Sequence, residues 1–466
     1  MIADLKPYSQ YKESGLPWLG RCPKNWSVRR TKILFQERVQ KGFPYEPLLA
    51  ATQRKGVVKK EDYETRTVTA QKDLHLLKLV EFGDYVISLR SFQGGIEVAH
   101  CRGIISPAYT VLKPRKQSTS GYYSHFFKAK PFIDSLSLFV TGIREGQNID
   151  YERLSRAELP MPSEDEQAAI VRFLDHANRK IDGFIRAKRK LIGLLNEQKQ
   201  AIIHRAVTRG LHPDVPLKPS GIPWLGDIPK HWEALALKRW VVTRITDGPH
   251  ETPVLLESGI SFMSAESMVN GKLDFNRRRG FISKEVHETF CRKCRPQRDD
   301  IFMCKSGATT GKVAIVETDE PFSVWSPLAL IRVDRRRVLP RLLFFVLQSG
   351  YIRRQVQDLS SYGTQPNLAM GAMARIVVAM PPIAEQPQLL RDVEADLVPI
   401  DTAIARTERE IALMQEYRTR LTADLVTGKL DVREAAAKLP ATIDDGNAEE
   451  SSNEISGEPE EEILES

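Results

Sequence analysis

The segment SGATTGK at residues 306–312 has the glycine-rich, lysine-ending composition of a loop that binds nucleotide phosphates. Such a loop needs four residues between its glycines and a Ser or Thr directly after the lysine. Only three residues separate Gly307 from Gly311, and Val313 follows Lys312. We therefore reject nucleotide binding at this segment.

Four side chains in the second half of the chain could be arranged as zinc ligands. They are His287, Cys291, Cys294 and Cys304. A lone CxxC pair without a second paired knuckle is a weak zinc signal, so we expect no metal site. The odd total of five cysteines favours reduced thiols over a secreted disulfide framework.

Motifs for other chemistry are missing from the sequence. We find no N-P-P-[YF] or D-P-P-Y motif of amino-methyltransferases, no nuclease P-D followed by [DE]-x-K, and no G-x-S-x-G elbow. We expect a binding protein that is not itself an enzyme and that holds no cofactor. The rival interpretation is a DNA methyltransferase or nuclease with its own catalytic centre.

Two segments have the pattern of a β-hairpin with a polar tip. Residues 83–99 and 299–315 each alternate like a strand, pass through a polar, glycine-bearing loop and return. Arg and Lys suit guanine edges and phosphates, and Gln or Asn suits adenine. The plain alternative is an ordinary hairpin with a solvated tip. The candidate contacts are Arg90 and Gln93 in the first segment and Lys305, Thr309, Thr310 and Lys312 in the second.

A second candidate loop follows each hairpin along the chain. Asn148 and Asn367 hold equivalent places in the two loops, so this shared asparagine could instead cap a turn. The basic runs 277–279 and 335–337, with Lys113, Arg115 and Lys116, could contact the DNA backbone or simply form a solvated face. The loop candidates are Arg144, Gln147 and Asn148, then Tyr362, Thr364, Gln365 and Asn367.

The charge distribution favours a polyanionic partner. The chain carries a formal +8, and residues 441–466 contain ten acidic and no basic side chains, which leaves +18 on residues 1–440. A strongly basic body gains affinity for nucleic acid through phosphate neutralisation and counterion release. The acidic tail has no aromatic residue and is predicted to be disordered and to repel DNA.

An internal duplication organises the 466 residues. YKESGLPWLGRCPKNW at 11–26 returns as LKPSGIPWLGDIPKHW at 217–232, and PMPSEDEQ at 160–167 is echoed by AMPPIAEQ at 379–386. Each copy therefore has a tryptophan-bearing leader, a variable region, a Pro-then-EQ junction and a long helix. We expect the leaders to be irregular segments held by buried rings, with base stacking as the alternative.

Apolar residues recur at heptad spacing after each EQ junction. We expect the two stripes to pair within the chain as an antiparallel coiled coil of roughly 60 Å, although a coiled coil between two chains is the alternative. Pro399 should kink the second helix or delay its regular start. The stripes are Leu174, Ile181, Ile185, Ile192, Leu195 and Ile202, then Val393, Ile400, Ile404, Ile411, Met414 and Leu421.

Antiparallel pairing would place the two variable regions at opposite ends of the helices, related by a pseudo-twofold axis. Duplex DNA has twofold symmetry in its backbone, so such a molecule could lay both regions on one duplex.

Here the sequence closely resembles one family, the specificity subunits of type I restriction-modification systems. The doubled SG-[LI]-PWLG-x-x-P-x-x-W leader, the SYGTQPNL segment at 361–368 and the doubled P-x-x-x-x-EQ junction carry the resemblance, over residues 11 to 432.

The resemblance implies a partnership as well as a fold. Two target-recognition domains would each read half of a bipartite site in double-stranded DNA, and the helices would set the gap and bind two modification subunits. Restriction subunits would join that core. S-adenosylmethionine, ATP and Mg would belong to these partners. Pro399 and the acidic tail depart from the pattern and leave the spacer length and the tail's role open.

We therefore predict an α+β fold with two target-recognition domains separated by two long antiparallel helices. A coiled-coil RNA-binding or scaffold protein is the alternative. No apolar run approaches membrane-helix length and MIADLKPYSQ does not resemble a signal peptide, so we expect a cytoplasmic protein. The expected boundaries are 1–26 (leader), 27–160 (first recognition domain), 161–208 (first long helix), 209–232 (linker and second leader), 233–380 (second recognition domain), 381–428 (second long helix) and 429–466 (C-terminal segment).

Overall fold

The computed structural model describes residues 5–53, 55–62, 73–89, 91–116, 120–141, 148–210, 214–363 and 365–440. The predicted disordered tail lies outside these residues. The chain divides into two compact units. Unit 1 comprises Met1–Arg186 and Ile411–Ser466, and unit 2 comprises Ala187–Glu410. In the part of the chain that is described, no helix is both long and apolar enough to cross a membrane.

Each unit contains a four-stranded antiparallel sheet with the same strand order. In each sheet, the two strands of the predicted hairpin are the third and fourth strands in the spatial order given below. These strands are short apolar runs, and in unit 2 the second and third strands are buried along their whole length. The order is Phe35–Glu37, Thr110–Pro114, Tyr85–Ile87, Glu97–Val98 in unit 1 and Thr246–Asp247, Leu328–Ile331, Ile301–Cys304, Val313–Ile315 in unit 2.

A buried aspartate begins the hairpin's first strand in both sheets. Asp84 pairs with Arg38 through Nε at 2.6 Å and Nη2 at 3.2 Å. Asp300 pairs with Arg332 through Nε and Nη2, both at 2.7 Å. Two parallel hydrogen bonds fix each arginine fork on its carboxylate. The arginines come from different strands, because Arg38 directly follows the first strand of the unit 1 order and Arg332 directly follows the second strand of the unit 2 order.

The leaders are ordered hairpins, so the prediction of irregular segments is wrong. Tyr11–Glu13 pairs with Arg21–Pro23, and Leu217–Pro219 pairs with Asp227–Pro229 in the matching register. Trp26 and Trp232 are buried as expected, whereas Trp224 is 48% exposed and lies under the Arg354 guanidinium. The prediction of a buried ring is therefore wrong for Trp224.

A strand pair closes the base of each variable region. Ser27–Arg30 pairs with Glu158–Met161 in unit 1, and Glu233–Ala236 pairs with Val377–Met380 in unit 2. Each pair joins the residues after the leader to those before the long helix. Both ends of the variable region are therefore held together at the point where the helix begins.

The two long helices occupy nearly the predicted spans. They run over Glu164–Arg209 and Gln386–Val426, compared with the expected 161–208 and 381–428. Pro399 lies inside the second helix, which begins well before it, so the proline does not delay the helix start. In unit 2, Lys188 pairs with Glu410 and Lys199 with Asp401, both at 2.6 Å, so these helix segments run antiparallel.

The predicted coiled-coil positions fall into two groups by burial. Next to Pro399 the unit 2 segments form an open groove of about 460 Å³, lined in part by Leu195, Ile202 and Ile400. In unit 1, Arg418 forms an ion pair with Asp182 between the two segments. Buried positions are Leu174, Ile181, Ile185, Val393, Ile400 and Leu421. Partly buried positions are Ile192, Leu195, Ile202, Ile404, Ile411 and Met414.

Shorter elements complete each unit. In unit 2 a three-stranded sheet, ordered Gly280–Ile282, Ile260–Met263, Phe322–Val324, includes a parallel pair. The other strands are Leu49–Thr52, Gly56–Lys59, Lys78–Val80, Gly103–Ile105, Val140–Thr141, Asn148–Ile149, Met268–Val269, Lys272–Leu273, Ser361–Tyr362 and Pro366–Asn367. The shorter helices are Thr31–Leu34, Lys60–Asp62, Leu74–Leu76, Ser91–Gly94, Ser120–Phe126, Lys130–Ser135, Leu136–Phe139, Tyr151–Arg156, Leu237–Arg239, Ala265–Ser267, Phe275–Arg277, Lys284–Cys291, Pro340–Gln348, Gly350–Leu359, Met370–Met373 and Arg433–Ala437.

Candidate nucleic-acid interface

Two loops that are far apart in the sequence form one surface in unit 2. The hairpin connection 305–312 lies against residues 361–368, and Ser306 bridges Asn367. The Leu368 amide donates to the Lys305 carbonyl at 2.7 Å, and the Gly307 amide donates to the Pro366 carbonyl at 3.0 Å. The structure therefore joins the two predicted DNA-contacting loops of the second copy into one face, which we call the unit 2 tip.

The SGATTGK segment serves as the turn of the unit 2 hairpin. Gly307 and Gly311 have φ of +89° and +87°, a region that glycine adopts without strain. A Cβ at Gly311 would lie 3.0 Å from the Val356 side chain, so the position is also crowded. The glycines that suggested a phosphate loop are thus explained by backbone geometry.

The candidate side chains of the unit 2 tip differ in exposure. Thr309, Lys312, Gln365 and Asn367 are exposed. The Thr310 hydroxyl donates within the tip, to the Gly307 carbonyl at 2.7 Å and the Pro366 carbonyl at 3.3 Å. Thr310 is therefore engaged in holding the two loops together. Thr364 and the Tyr362 side chain lie outside the described residues.

The side chain of Lys305 lies at the root of the unit 2 tip and is only 14% exposed. Its Nζ is 2.8 Å from Asp247 Oδ2, and Lys293 Nζ is 2.5 Å from Oδ1 of the same carboxylate. His250 Nε2 lies 3.3 Å from Oδ2. Burial alone would raise the pKa of Asp247, but hydrogen bonds and charge from the two lysines outweigh it and lower that pKa.

The corresponding hairpin of unit 1 has a different connection. The Tyr85–Ile87 and Glu97–Val98 strands pair as predicted, but a helical turn over Ser91–Gly94 replaces the expected open loop. Gln93 is exposed on that turn. Arg90, Arg144 and Gln147 lie outside the described residues, as does the side chain of Asn148. The structure therefore locates only Gln93 among the unit 1 candidates.

A buried carboxylate lies close to that turn. Glu97 is 2% exposed and pairs with Lys128, whose Nζ also donates to the Gly94 carbonyl at 2.8 Å and the Gln53 carbonyl at 2.9 Å. Burial raises the pKa of Glu97 to about 7, against the opposing charge and hydrogen bond of Lys128. The lysine thus fastens the turn that carries Gln93 to the sheet.

The two arginine runs of unit 2 differ in their surroundings. Arg335 and Arg336 pair with Asp299 and Asp334, and Arg337 pairs with Glu233 at 3.2 Å. In the other run, Arg278 lies over the Phe281 ring at 4.5 Å and Arg279 over the Trp325 ring at 4.0 Å. Arg277 pairs with Asp274 at 3.9 Å, and Arg337 also lies over the Trp240 ring at 4.7 Å. Arg278 and Arg279 are therefore the better candidates for backbone contacts, because stacking on a ring leaves a guanidinium with donors for a phosphate.

The acidic residue of each EQ junction accepts hydrogen bonds from the leader, a role that our sequence reasoning missed. Glu166 Oε1 accepts from Trp26 Nε1 at 2.7 Å and from Tyr8 Oη at 2.5 Å. Glu385 Oε1 accepts from Trp232 Nε1 at 3.3 Å. The repeated tryptophan and glutamate were the available signal, because both recur in the same order in each copy.

The four possible zinc ligands of unit 2 have other surroundings, and Cys304 Sγ donates to the Ser306 carbonyl at 3.3 Å. His287 Nδ1 is 2.9 Å from Ser323 Oγ, and Cys291 Sγ is 3.5 Å from His287 Nε2. Burial raises the pKa of Cys294 to about 12, which keeps this thiol protonated. Among the described residues, no group of three or more His, Cys, Asp or Glu side chains could hold a metal ion.

Comparison with known proteins adds sequence and fold relatives, although no family model matches the sequence. The type I restriction enzyme MjaVIII specificity subunit of Methanocaldococcus jannaschii is 22% identical over 337 residues, covering 71% of this chain and 75% of that relative. The putative type I restriction enzyme MjaX specificity subunit of the same organism is 22% identical over 442 residues, covering 89% and 96%.

A solved chain from work on complex assembly and conformational transition of the type I R-M system is similar in fold. It matches with a TM-score of 0.58 at 12% identity, over 88% of this chain and 99% of that chain. The resemblance that the leader and junction motifs indicated is therefore confirmed, and the chain is similar to type I restriction specificity subunits over most of its length.

Proposed function

We propose that this chain is the specificity subunit of a type I restriction-modification complex. In this role it reads double-stranded DNA and catalyses no reaction. The observation that carries the proposal is the recurrence of one four-stranded sheet, with the same strand order and a buried aspartate at the start of the hairpin, ahead of each long helix. A duplicated reader of this kind suits a target with two half-sites.

Each variable region, 27–160 and 233–380, is proposed to read one half of a split sequence. The unit 2 tip presents Thr309, Lys312, Gln365 and Asn367, and the unit 1 turn presents Gln93, so amide and ammonium groups are available to base edges. The paired long helices would set the gap between half-sites and dock two modification subunits, to which restriction subunits are added. S-adenosylmethionine, ATP and Mg would be bound by those partners.

A domain exchange tests this proposal. Residues 27–160 are replaced by the equivalent region of another specificity subunit, the chain is assembled with its modification subunits, and methylated bases are mapped across a genome. We expect one half-site to change while the other half-site and the gap stay the same. A change in both half-sites would contradict the modular reading.

Inserting one heptad into both long helices is the matched experiment on the spacer. We expect both half-sites to be kept and the gap between them to lengthen. A competition assay with specific duplex, random duplex and RNA separates the proposal from an RNA-binding or scaffold protein, for which the split duplex would have no advantage. Methyl transfer by the purified chain alone would contradict a non-catalytic role.

A further inference from the structure

An excess of positive charge surrounds one buried carboxylate in unit 2. Asp247 is 0% exposed, and Lys293, Lys305 and His250 approach its two oxygens. One negative charge therefore faces two ammonium groups and an imidazole. A buried carboxylate needs partners to offset its lost hydration, and one lysine is enough to balance its charge. The second lysine therefore leaves the site with a net positive charge, and the histidine adds a further polar group beside it.

Two of these side chains reach the surface while the carboxylate does not. The side chains of Lys293 and His250 are 48% and 69% exposed. Lys293 Nζ also donates to the Gly248 carbonyl at 3.2 Å. A Cβ on Gly248 would lie 2.0 Å from the Val324 carbonyl, so the backbone is pressed tightly onto the neighbouring strand. The ammonium group is thus held in place before any ligand arrives, which lowers the entropy cost of binding.

The neighbourhood of the site suits an anion. Gly248 packs against Val324 and Trp325, and the Trp325 ring carries the Arg279 guanidinium at 4.0 Å. The Lys305 carbonyl accepts the hydrogen bond that seats the 361–368 loop. The positive site is therefore built into the root of the unit 2 tip.

We infer that Lys293 and His250, held by Asp247 together with Lys305, bind one phosphate of the DNA backbone. This inference rests on the proposed function. Lysine is a compact point charge that suits phosphate, whereas base recognition favours side chains that make two directed bonds. A phosphate bound at the root of the tip would fix where Thr309, Lys312 and Gln365 meet the duplex.

The equivalent place in unit 1 carries different chemistry. Leu89 lies as far along the chain from Asp84 as Lys305 lies from Asp300. Leu89 therefore occupies the place of Lys305, and it is 42% exposed. In the unit 2 sheet, Asp247 lies opposite Ala329. When the matching strand pair of unit 1 is extended in the same register, the residue at the position of Asp247 is Val39, which is 58% exposed. The phosphate contact is therefore expected at the half-site read by unit 2 and not at the other.

Binding of the full chain, assembled with modification subunits, to its mapped duplex site over a range of salt concentrations tests the inference. Lys293→Gln is expected to weaken binding about tenfold at low salt and to reduce the slope of log K against log[salt] by about 0.9. Lys293→Arg keeps the charge and is expected to bind nearly as the native chain does. Lys230→Gln removes an exposed lysine of the second leader in the same unit and is the control for general loss of charge.

A scan with neutral methylphosphonate links, placed one at a time in the duplex, identifies the phosphate. One link in the unit 2 half-site is expected to weaken the native complex but to have little further effect on Lys293→Gln. His250→Gln is expected to show a smaller coupling at the same link, and it provides a second variant if Lys293→Gln folds poorly.

Equal losses for Lys293→Gln and Lys230→Gln, or coupling at no link, would overturn the inference while leaving DNA reading intact. A changed methylated sequence in Lys293→Gln would also overturn it, because the lysine would then read a base. If the native complex itself shows no preference for a split duplex, the proposed function fails as well.

Discussion

The two four-stranded sheets share a frame but carry their buried acid–lysine groups on opposite edge strands. In unit 1 the group is Glu97 with Lys128, on the last strand of the order, where unit 2 has Ala314. In unit 2 the group is Asp247 with Lys293 and Lys305, on the first strand. Both sheets have a buried, arginine-paired aspartate at the hairpin start, although the arginine follows the first strand in unit 1 and the second strand in unit 2. A duplicated fold can therefore keep its frame while the charged chemistry at its edges diverges.

Breaking the shared frame is expected to have the largest effect. Asp84→Ala and Asp300→Ala would each leave an arginine without its bidentate partner and cost about 3–5 kcal/mol in the sheet concerned. Asp84→Ala should cost more, because the Arg38 side chain is 12% exposed and the Arg332 side chain 28%. Amide hydrogen exchange reports each sheet separately.

Asp319→Ala is the control for the frame experiment, because it removes an exposed ion pair with Arg298 in unit 2. We expect it to leave hydrogen exchange in both sheets nearly unchanged. If Asp84→Ala and Asp300→Ala were as mild as this control, the Asp–Arg pairs would not be the common frame.

The edge groups are expected to respond to pH with opposite signs. The folded pKa of Glu97, about 7, is above its ordinary value of 4.5, so the folded chain binds that proton more tightly than the unfolded chain. Its stabilisation is complete below pH 4.5 and falls by about 3 kcal/mol as the pH rises through 7. The lowered pKa of Asp247 stabilises unit 2 above its ordinary 3.8, and this contribution is lost as the pH falls below that value.

Hydrogen exchange measured between pH 4.5 and 8 tests this contrast. In Glu97→Gln we expect the opening free energy of the unit 1 sheet to lose most of its dependence on pH over this range. Asp247 should contribute no change to unit 2 over the same range. A native unit 1 sheet that gained stability between pH 4.5 and 7 would contradict the assignment.

The junctions should differ by a smaller amount. Trp26→Phe removes a 2.7 Å hydrogen bond to Glu166, a residue only 2% exposed, and is expected to cost about 2 kcal/mol. Trp232→Phe removes a 3.3 Å bond to Glu385, whose side chain is 26% exposed, and should cost less. Urea unfolding of both variants gives the difference. Equal costs would mean that ring packing outweighs the hydrogen bond.

Exposed amides at the reading faces are expected to give the smallest effects, of about 1 kcal/mol in binding. Gln365→Ala should relax recognition at one position of the half-site read by unit 2, and Gln93→Ala should do the same for unit 1. Methylation mapping of each assembled variant reads out the position. Either variant altering both half-sites would argue against separate readers.

The sequence reveals the repeat because matching segments recur along it. It also predicts the hairpin strands and the long helices, because these depend on residue patterns within short stretches of chain. The helix beginning at Glu164 and the one beginning at Gln386 lie within a few residues of the expected starts. The same reasoning fails for the leaders, because the Pro and Gly residues that form a tight hairpin also suit an irregular segment.

The sequence by itself determined that the protein has two copies of one unit, each with a leader, a variable region and a heptad helix. Only the tertiary structure decided which side chains meet. Lys305 joins Asp247, and the 305–312 turn joins the 361–368 loop, through contacts between residues more than fifty positions apart. Such contacts depend on how buried strands stack and on which polar groups must be satisfied when the chain packs, and no local pattern contains that information.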